Sequence, residues 1–345
     1  MLQFYELVNF TTKIGFCATF LINMIFINLT LTYIKHITGT YKKMLVMFAA
    51  TCILFSGVEV IVQPFLHTFN GGLLYFSLVE PENFMFSAEF LTVFLWVNAS
   101  CYVAQLVFIA IQFLFRYFLL IQHPFHKSFQ GRLQVIWIFY FFGIALAYGS
   151  SMYYFLRPDD FSDGYLQEEI EQMYHRNIKD IPRVLAVPYE NGEVRWNVIT
   201  FLGSGCSMFG IQYLIIIHCA LKMRKAMKTE LQNFSTRNRK LELQFFKALT
   251  VQIILPTFLI TFPCGFTLLV PLLDTKISCQ TGLVFGLYSL YPPLDSIATM
   301  VIVKEYQGCW RKFWKDVLEA LGLVGTPRTT GTTTRSISTT QTSVL

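Results

Sequence analysis

The amino-acid sequence predicts an all-α membrane protein, a bundle of seven transmembrane helices. Hydrophobic residues make up 54% of its 345 residues and charged residues only 14%, whereas soluble chains carry roughly 25% charged residues. The mean hydropathy is +0.49. The apolar residues form long separate runs, and Lys and Arg are concentrated in alternate connections. Too few charges remain to cover a large soluble core, so lipid is the expected solvent.

Seven apolar runs are long enough to cross the hydrocarbon core of a bilayer. A helix needs roughly 17–25 residues to cross ~30 Å. The sequence therefore predicts a seven-transmembrane domain over residues 1–304. Spans one to seven are expected at about residues 14–33, 44–66, 90–115, 133–156, 197–221, 248–273 and 279–303.

The charges of the connections predict the orientation of the bundle. Lys and Arg are in excess after spans one, three and five, with eight of them between Lys222 and Lys247 against two Glu. The loop from Arg157 to Arg195 instead has nine acidic and five basic residues. Because Lys and Arg are enriched in cytoplasmic loops, the N-terminus is expected outside and the C-terminus in the cytosol.

Few sequence motifs point to chemistry. No GxxxxGK[ST], GxSxG or HExxH pattern is present, and the eight cysteines are scattered without a metal-ligand spacing. No enzyme activity, metal, cofactor or nucleic-acid binding is therefore expected. Asn9-Phe10-Thr11 is a glycosylation sequon on the predicted outer face, so Asn9 is the expected glycan site.

Span three carries polar residues on one face. Asn98, Gln105 and Gln112 are spaced by seven residues, and Arg116 follows four residues later. Polar side chains at this spacing share a helix face and must face other helices or a wet cavity. Span three is therefore expected at the centre of the bundle. Asn98 and Gln105 either make ordinary interhelical hydrogen bonds or line a ligand cavity.

Acidic residues and prolines mark three further spans. Glu59 is expected in the outer half of span two, where it either orients a ligand or pairs with another helix. Asp295 follows Pro292 and Pro293 in span seven, and a kinked helix with a buried carboxylate is a plausible bistable element. Span six contains Pro256 close to a basic connection. Glu59 and Asp295 lie at different depths and are not expected to pair.

The sequence after span seven predicts two cytosolic segments. From Glu305 to Leu321, aromatic and aliphatic residues recur every three or four positions beside Lys and Arg, which predicts an amphipathic helix on the lipid surface. Cys309 is a palmitoylation candidate at its start. Residues 322–345 are Ser/Thr-rich and expected to be disordered. Such a tail suits a kinase and an arrestin-like partner, and its end at Leu345 fits a PDZ groove.

Five stretches, in order along the chain, match motifs of one family. TGTYKKMLVMFA at 38–49 is similar to a GTYKYLM entry to span two, and FLFRYFLL at 113–120 to an hFxYRYF end of span three. YENGEVRW at 189–196 resembles an outer loop before span five. LQFFKALTVQIILP at 243–256 and LYPPLDSIATMVIVKEYQ at 290–307 resemble QLFKALxxQxxIP and LYPxLDPLxxIxxIxxYR. The chain thus resembles the nematode seven-transmembrane chemoreceptors of the Str family, the group that includes the diacetyl receptor.

The resemblance implies a chemosensory G-protein-coupled receptor. Such a protein binds small, often volatile odorants at sensory cilia, in the plasma membrane, and activates a heterotrimeric G protein. Pro293 and Asp295 would form a span-seven switch, with Tyr291 at its outer approach. Two positions depart from the family pattern, Ser296 in place of Pro and Gln307 in place of Arg after Tyr306.

The candidate residues fall into two sets. The ligand-binding set is Glu59, Asn98, Gln105 and Tyr291. The coupling set is Arg116, Tyr117, Pro256, Pro293, Asp295 and Tyr306. A ligand-gated channel or transporter is the alternative function. A channel needs a ring of charges or carbonyls along its pore, and Glu59 with Asp295 do not provide one.

Overall fold

The protein is described here from a computed structural model that covers residues 2–34, 39–79, 88–229, 236–269, 272 and 278–320. Seven helices form the bundle. Spans one to five are Leu2–Thr32, Gly39–Val62, Ala88–Leu120, Val135–Phe155 and Trp196–Thr229. Span six consists of a helix Thr236–Pro256, a π-helical turn Thr257–Thr261 and a helix Phe262–Leu269, and span seven is Leu283–Ile302.

The helices have the length and composition of membrane spans. Six described helices, spans one to six, are long and apolar enough to cross a bilayer. Span seven has 20 residues, which also suffices for ~30 Å. Its Pro292, Pro293 and Asp295 lower its mean hydropathy. The predicted seven-helix membrane bundle is therefore confirmed.

Two helix boundaries differ by about four residues from the approximate predicted ones. Span two ends at Val62, before the expected end at Leu66, because Gln63 adopts φ +46° and a strand begins at Pro64. Span seven begins at Leu283, since Ser278–Cys279 form a strand. The expectation of an all-α fold was incomplete as well, because strands cover one end of this mostly helical bundle.

A four-stranded antiparallel sheet lies at that end. Its strands are β1 (Pro64–Phe69), β2 (Gly72–Ser77), β3 (Arg183–Ala186) and β6 (Ser278–Cys279), in the order β3-β2-β1-β6. Asn70 and Gly71 connect β1 to β2 with φ values of +44° and +79°, as a two-residue type I′ turn requires. We call this the sheet end, and the opposite end, where the Lys- and Arg-rich connections lie, the basic end.

The long loop between spans four and five is ordered by local caps. A helix over Asp160–Tyr174, here called the loop helix, begins where the Asp159 carboxylate accepts a hydrogen bond from the Ser162 N–H at 2.8 Å. Further along, β4 (Tyr189–Glu190) pairs with β5 (Glu193–Val194).

Ion pairs and hydrogen bonds attach the loop helix to the rest of the sheet end. Arg183 of β3 binds both oxygens of Asp163 at 2.7 Å, and Arg195 binds Asp159. Burial alone would raise the pKa of Asp159, but the Ser162 N–H and the Arg195 guanidinium outweigh it and hold that pKa below its usual value.

Span three is the central helix, as predicted. In its apolar middle 78% of the residues are buried, compared with 17% in span four. Spans one and seven also pack closely, because a Cβ placed on Gly15 would lie 2.7 Å from Ser289. The core is continuous from the sheet end to the basic end.

The C-terminal helix spans Lys304–Ala320, close to the predicted 305–321. Tyr306 attaches it to span one: its ring stacks on Phe26 at 5.2 Å and its hydroxyl hydrogen-bonds Thr30 at 2.8 Å. Trp310 and Trp314 are 38% and 42% exposed and provide an apolar surface for lipid. The predicted tail at 322–345 lies outside the described residues.

Candidate ligand cavity and coupling residues

A cavity of about 260 Å³ lies beneath the sheet, between spans three to seven. Strands β1 to β3 contribute five buried residues above it, here called the sheet roof: Leu66, Leu73, Tyr75, Val184 and Ala186. Aromatic side chains dominate the rest of the wall, among them Tyr102, Tyr148, Phe201, Phe209, Phe285 and Tyr288. None of the described lining residues is Asp, Glu, Lys or Arg. Concave and largely apolar cavities of this kind hold small neutral molecules.

Two residues of the predicted ligand set lie one layer behind this wall. Asn98 accepts a hydrogen bond of 2.7 Å from the Tyr75 hydroxyl, and Tyr75 lines the cavity. Glu59 is buried beside Tyr102, another lining residue. Within the described residues, neither Glu59 Oε1 nor the Tyr102 hydroxyl has a hydrogen-bond partner. Asn98 and Glu59 thus support the aromatic wall instead of forming it.

Gln105 and Tyr291 do not line the cavity either. Gln105 is buried in span three, and Tyr291 is completely buried in span seven. Tyr291 is therefore a buried core residue and not part of the cavity wall. Tyr291 directly precedes Pro292 and lies one helical turn before Asp295. Its side chain points into the core.

At the basic end, Arg116 forms what we call the Arg116 cluster with Tyr41, Glu242 and Phe245. The guanidinium carbon lies 3.5 Å from the Tyr41 ring centroid and 4.2 Å from that of Phe245. One terminal nitrogen, Nη1, donates to both carboxylate oxygens of Glu242 at 3.2 and 3.1 Å. The cluster connects spans two, three and six, and Arg116 is only 2% exposed. Charge-assisted hydrogen bonds and cation–π contacts are strengthened by such burial.

Asp295 connects span seven to span six. Its Oδ2 accepts a 3.0 Å hydrogen bond from Gln252, while Oδ1 has no hydrogen-bond partner within the described residues. The next residue, Ser296, donates to Asn23 of span one at 2.7 Å. The serine that replaces the family proline therefore adds a link to span one. Asp295 and Ser296 join three helices in the core.

The two proline positions of the coupling set differ in their local structure. Pro256 immediately precedes the π-helical turn of span six. A proline has no N–H for the α-helical ladder, and π turns accommodate such interruptions. Pro293 lies inside a continuous helix and is buried, so the carbonyl one turn earlier, at Ser289, loses its helical partner.

The remaining candidates lie at the basic end and in span one. Tyr117 is half-buried beside His218, with ring centroids 6.5 Å apart. Cys309 is half-buried near Tyr33, and burial, followed by the charge of Glu305, raises the pKa of its thiol. Asn9 lies within a helix and is 7% exposed. A glycan acceptor needs an exposed position, so this setting disfavours glycosylation of the folded chain.

Sequence reasoning missed most of the cavity. The Asn70-Gly71 pair between two apolar runs is a strong hairpin signal, and it would have predicted β1, β2 and part of the sheet roof. The lining residues Phe285 and Tyr288 had no comparable signal. Glu242 was counted only as a charge of the basic connection, although it lies one residue before the LQFFKAL stretch that contains Phe245.

The fold and these two sites define a seven-span receptor-type bundle, with an apolar cavity at one end and an ion-pair cluster at the other. A sequence model of the family described as "Serpentine type 7TM GPCR chemoreceptor Str" matches residues 8–310. The chain therefore belongs to the Str family of serpentine chemoreceptors.

Curated relatives come from nematodes. The chain is 32% identical over 310 residues to the protein named G-protein coupled receptor str-33 of Caenorhabditis elegans. The matched region covers 88% of this chain and 89% of that relative. It is 24% identical over 307 residues to serpentine receptor class r-10 of the same species, with 87% and 89% covered. The class r-10 receptor of Caenorhabditis briggsae is 25% identical over 315 residues, with 89% and 90% covered.

Proposed function

We propose that the chain is a chemosensory G-protein-coupled receptor that binds a small, neutral, volatile or weakly polar molecule beneath the sheet roof. The observation that carries this proposal is the continuity of span three. It contributes Ala99 and Tyr102 to the cavity wall and Arg116 to the cluster at the basic end. One buried helix thereby connects the proposed ligand site to the proposed coupling site.

On the ligand side, Tyr102 is the contact through which occupancy would reach the core. Its ring packs edge-on against Tyr288 at 4.8 Å, and its hydroxyl faces Glu59. A molecule in the cavity competes with this ring contact. A small rotation of Tyr102 therefore changes its contacts with both the Tyr288 ring and the buried Glu59 carboxyl group.

On the coupling side, span six carries the conformational change from the cavity to the basic end. Ile260 and Thr261 line the cavity within the π-helical turn, and Glu242 lies on the same span at the other end. A shift of span six therefore changes the Arg116–Glu242 contact. In this proposal the ion pair holds the resting state, and its release opens a cytosolic surface for a heterotrimeric G protein.

The proposal places the basic end in the cytosol and the sheet end outside, since Lys and Arg mark cytoplasmic loops. The protein would reside in the plasma membrane of chemosensory cilia. A kinase and an arrestin-like partner would act on the Ser/Thr-rich tail, and a PDZ protein would bind at Leu345. Both tail sites lie outside the described residues.

The proposal is tested by whole-cell recording from cells that express the chain while a panel of volatile compounds is applied. The responses should disappear when a non-hydrolysable GDP analogue fills the pipette. Currents that persist with the analogue would mean that the chain conducts ions itself, and the receptor proposal would fall in favour of a ligand-gated channel.

A pair of span-three variants tests the position of the ligand. Ala99→Phe adds a ring to the cavity and should raise the half-maximal ligand concentration at least tenfold. Val97→Phe places the same ring on the lipid-facing side, where Val97 is 41% exposed, and should respond like the parent chain. Equal responses from both variants at equal surface expression would contradict a ligand site in this cavity.

A further inference from the structure

We propose that the ligand enters the cavity sideways from the lipid bilayer, through an opening between spans five and six. This inference rests on the proposed function and specifies its ligand class as neutral molecules that dissolve in the membrane. We call the opening the lateral portal. Its rim is formed by Cys206 and Phe209 of span five and by Thr261, Cys264, Gly265 and Leu268 of span six.

The described part of the sheet end is closed over the cavity. All five residues of the sheet roof are at most 7% exposed. The roof is held on both sides by the loop helix. Arg183 of β3 binds both oxygens of Asp163, and His67 of β1 binds Glu169 at 3.2 Å. Entry through the roof would require these contacts and the strand pairing to break.

Exposure is unevenly distributed along the cavity wall. Among the described lining residues, Cys206 is the single one in the exposed class. The half-buried lining residues are Thr261, Cys264, Gly265 and Leu268 of span six, Phe209 of span five, and Ala99 and Tyr102 of span three. The lining residues of spans four and seven, by contrast, are all buried. Because exposed Cys206 and five of the seven half-buried residues belong to spans five and six, we place the gap in the described wall on that side.

The backbone of span six leaves open space at the proposed portal. A Cβ placed on Gly265 would have no heavy atom within 4 Å, so this position leaves open space. Below the gap, the Tyr213 hydroxyl of span five hydrogen-bonds Thr257 and Thr261 at 3.0 and 2.8 Å. These contacts close the wall toward the basic end. The portal is thus bounded below by Tyr213 and above by the sheet roof.

The chemistry of the wall selects the ligand. A charged molecule would find no counter-charge among the lining residues that the structure describes, and it would cross the apolar part of a bilayer poorly. A neutral apolar molecule is concentrated in the bilayer before it binds. The portal therefore favours ligands with high membrane partitioning over equally small but water-loving ones.

The test measures binding rates separately from binding equilibrium. The purified full chain in lipid nanodiscs is mixed with 1-aminoanthracene, a neutral apolar fluorophore, in a stopped-flow instrument. Gly265→Leu narrows the portal and should slow both association and dissociation about tenfold. Phe209→Ala widens it and should accelerate both rates several-fold. Gly203→Leu, at an exposed glycine of span five outside the cavity wall, is the matched control and should leave the rates unchanged.

The outcomes separate the portal from the proposed function. Unchanged rates in both portal variants, with saturable binding intact, would overturn the portal and leave the cavity as the ligand site. Faster binding in Asp163→Asn, which loosens the roof, but not in Phe209→Ala would place the entrance at the sheet end and would also overturn the portal. A lack of saturable binding in the parent chain would overturn the portal together with the ligand site.

Discussion

The two ends of the bundle use the same small set of helices in opposite ways. At the sheet end, aromatic rings and strands surround about 260 Å³ of space, and the described part of the lining contains no charged residue. At the basic end, the Arg116 guanidinium lies 3.5 Å from the Tyr41 ring centroid and binds Glu242 of span six. The two ends thus differ in chemistry: one encloses an apolar cavity, and the other holds a buried guanidinium paired with a carboxylate of span six.

The largest expected effect is a loss of folding stability when an ion pair that holds the sheet roof is broken. Asp163→Asn removes one side of a buried ion pair in which Arg183 and Asp163 are 13% and 6% exposed. Leaving one charge of such a pair unpaired costs about 3 kcal/mol, so the variant should unfold at a clearly lower temperature in nanodiscs.

Asp160→Asn is the control for the roof variant. Asp160 pairs with Lys179 on the surface, with exposures of 99% and 57%. Exposed pairs contribute little to stability, so this variant should melt with the parent chain. An equal loss of stability in both variants would show that the sheet roof is not held by the buried pair.

The next effect tests whether the basic end holds the resting state. Glu242→Gln keeps the shape of the side chain but weakens its charge-assisted hydrogen bonds to Arg116, which contribute about 1.5–3 kcal/mol. Since 1.4 kcal/mol is about tenfold in an equilibrium, ligand-independent signalling should rise about tenfold or more in a G-protein activation assay.

Glu193→Gln serves as the control for the coupling variant, because Glu193 is an exposed carboxylate of β5 at the sheet end. It should signal at the parent level without ligand. If Glu242→Gln were equally quiet at matched surface expression, the Arg116 cluster would be a structural contact and not a switch.

A smaller effect is expected within the cavity wall. Tyr75→Phe leaves Asn98 without its 2.7 Å hydrogen bond, and an unsatisfied buried acceptor costs about 1–3 kcal/mol. Thermal unfolding should show this loss. Tyr148→Phe, in the same wall, is the control, because no described residue hydrogen-bonds the Tyr148 hydroxyl. Similar stabilities of the two variants would argue against Asn98 as the support of the wall.

The smallest expected effect is a pH dependence of the folding stability, which arises from His67 at the sheet end. Burial lowers the pKa of His67, and Glu169 opposes this only in part. Tyr174 faces the other ring nitrogen, and Ser278 of β6 donates to Glu169. Because the folded pKa lies below the unfolded one, stability is full above about pH 6.5 and decreases as the pH falls below it.

The pH effect is measured as the melting temperature between pH 7.5 and 5.5. The parent chain should melt at a lower temperature in acid, and His67→Gln should lose most of that dependence. A parent profile that is flat, or one that the substitution does not change, would show that the pKa of His67 does not differ between the folded and unfolded states.

Sequence rules and the structure agree best for polar side chains within the membrane spans. Arg116, Asp295 and Asn98 stood out because polar side chains in a span need partners, and each has a partner in the structure. Tyr291, which came into the ligand set through the family resemblance, is packed in the core and does not line the cavity, since a tyrosine is compatible with both settings. The partners themselves, such as Glu242 and Gln252, could not be chosen from the chain alone.

The sequence by itself determined the seven spans, the central position of span three and the family, because hydropathy and charge act locally along a chain. Tertiary structure alone decided the cavity, the placement of the sheet roof over it and the composition of the Arg116 cluster. Tyr41, Arg116 and Glu242 come from distant parts of the chain, and the cavity is lined by residues of three strands and five spans. Apolar side chains look alike in a sequence, and only packing determines which of them enclose space and which fill it.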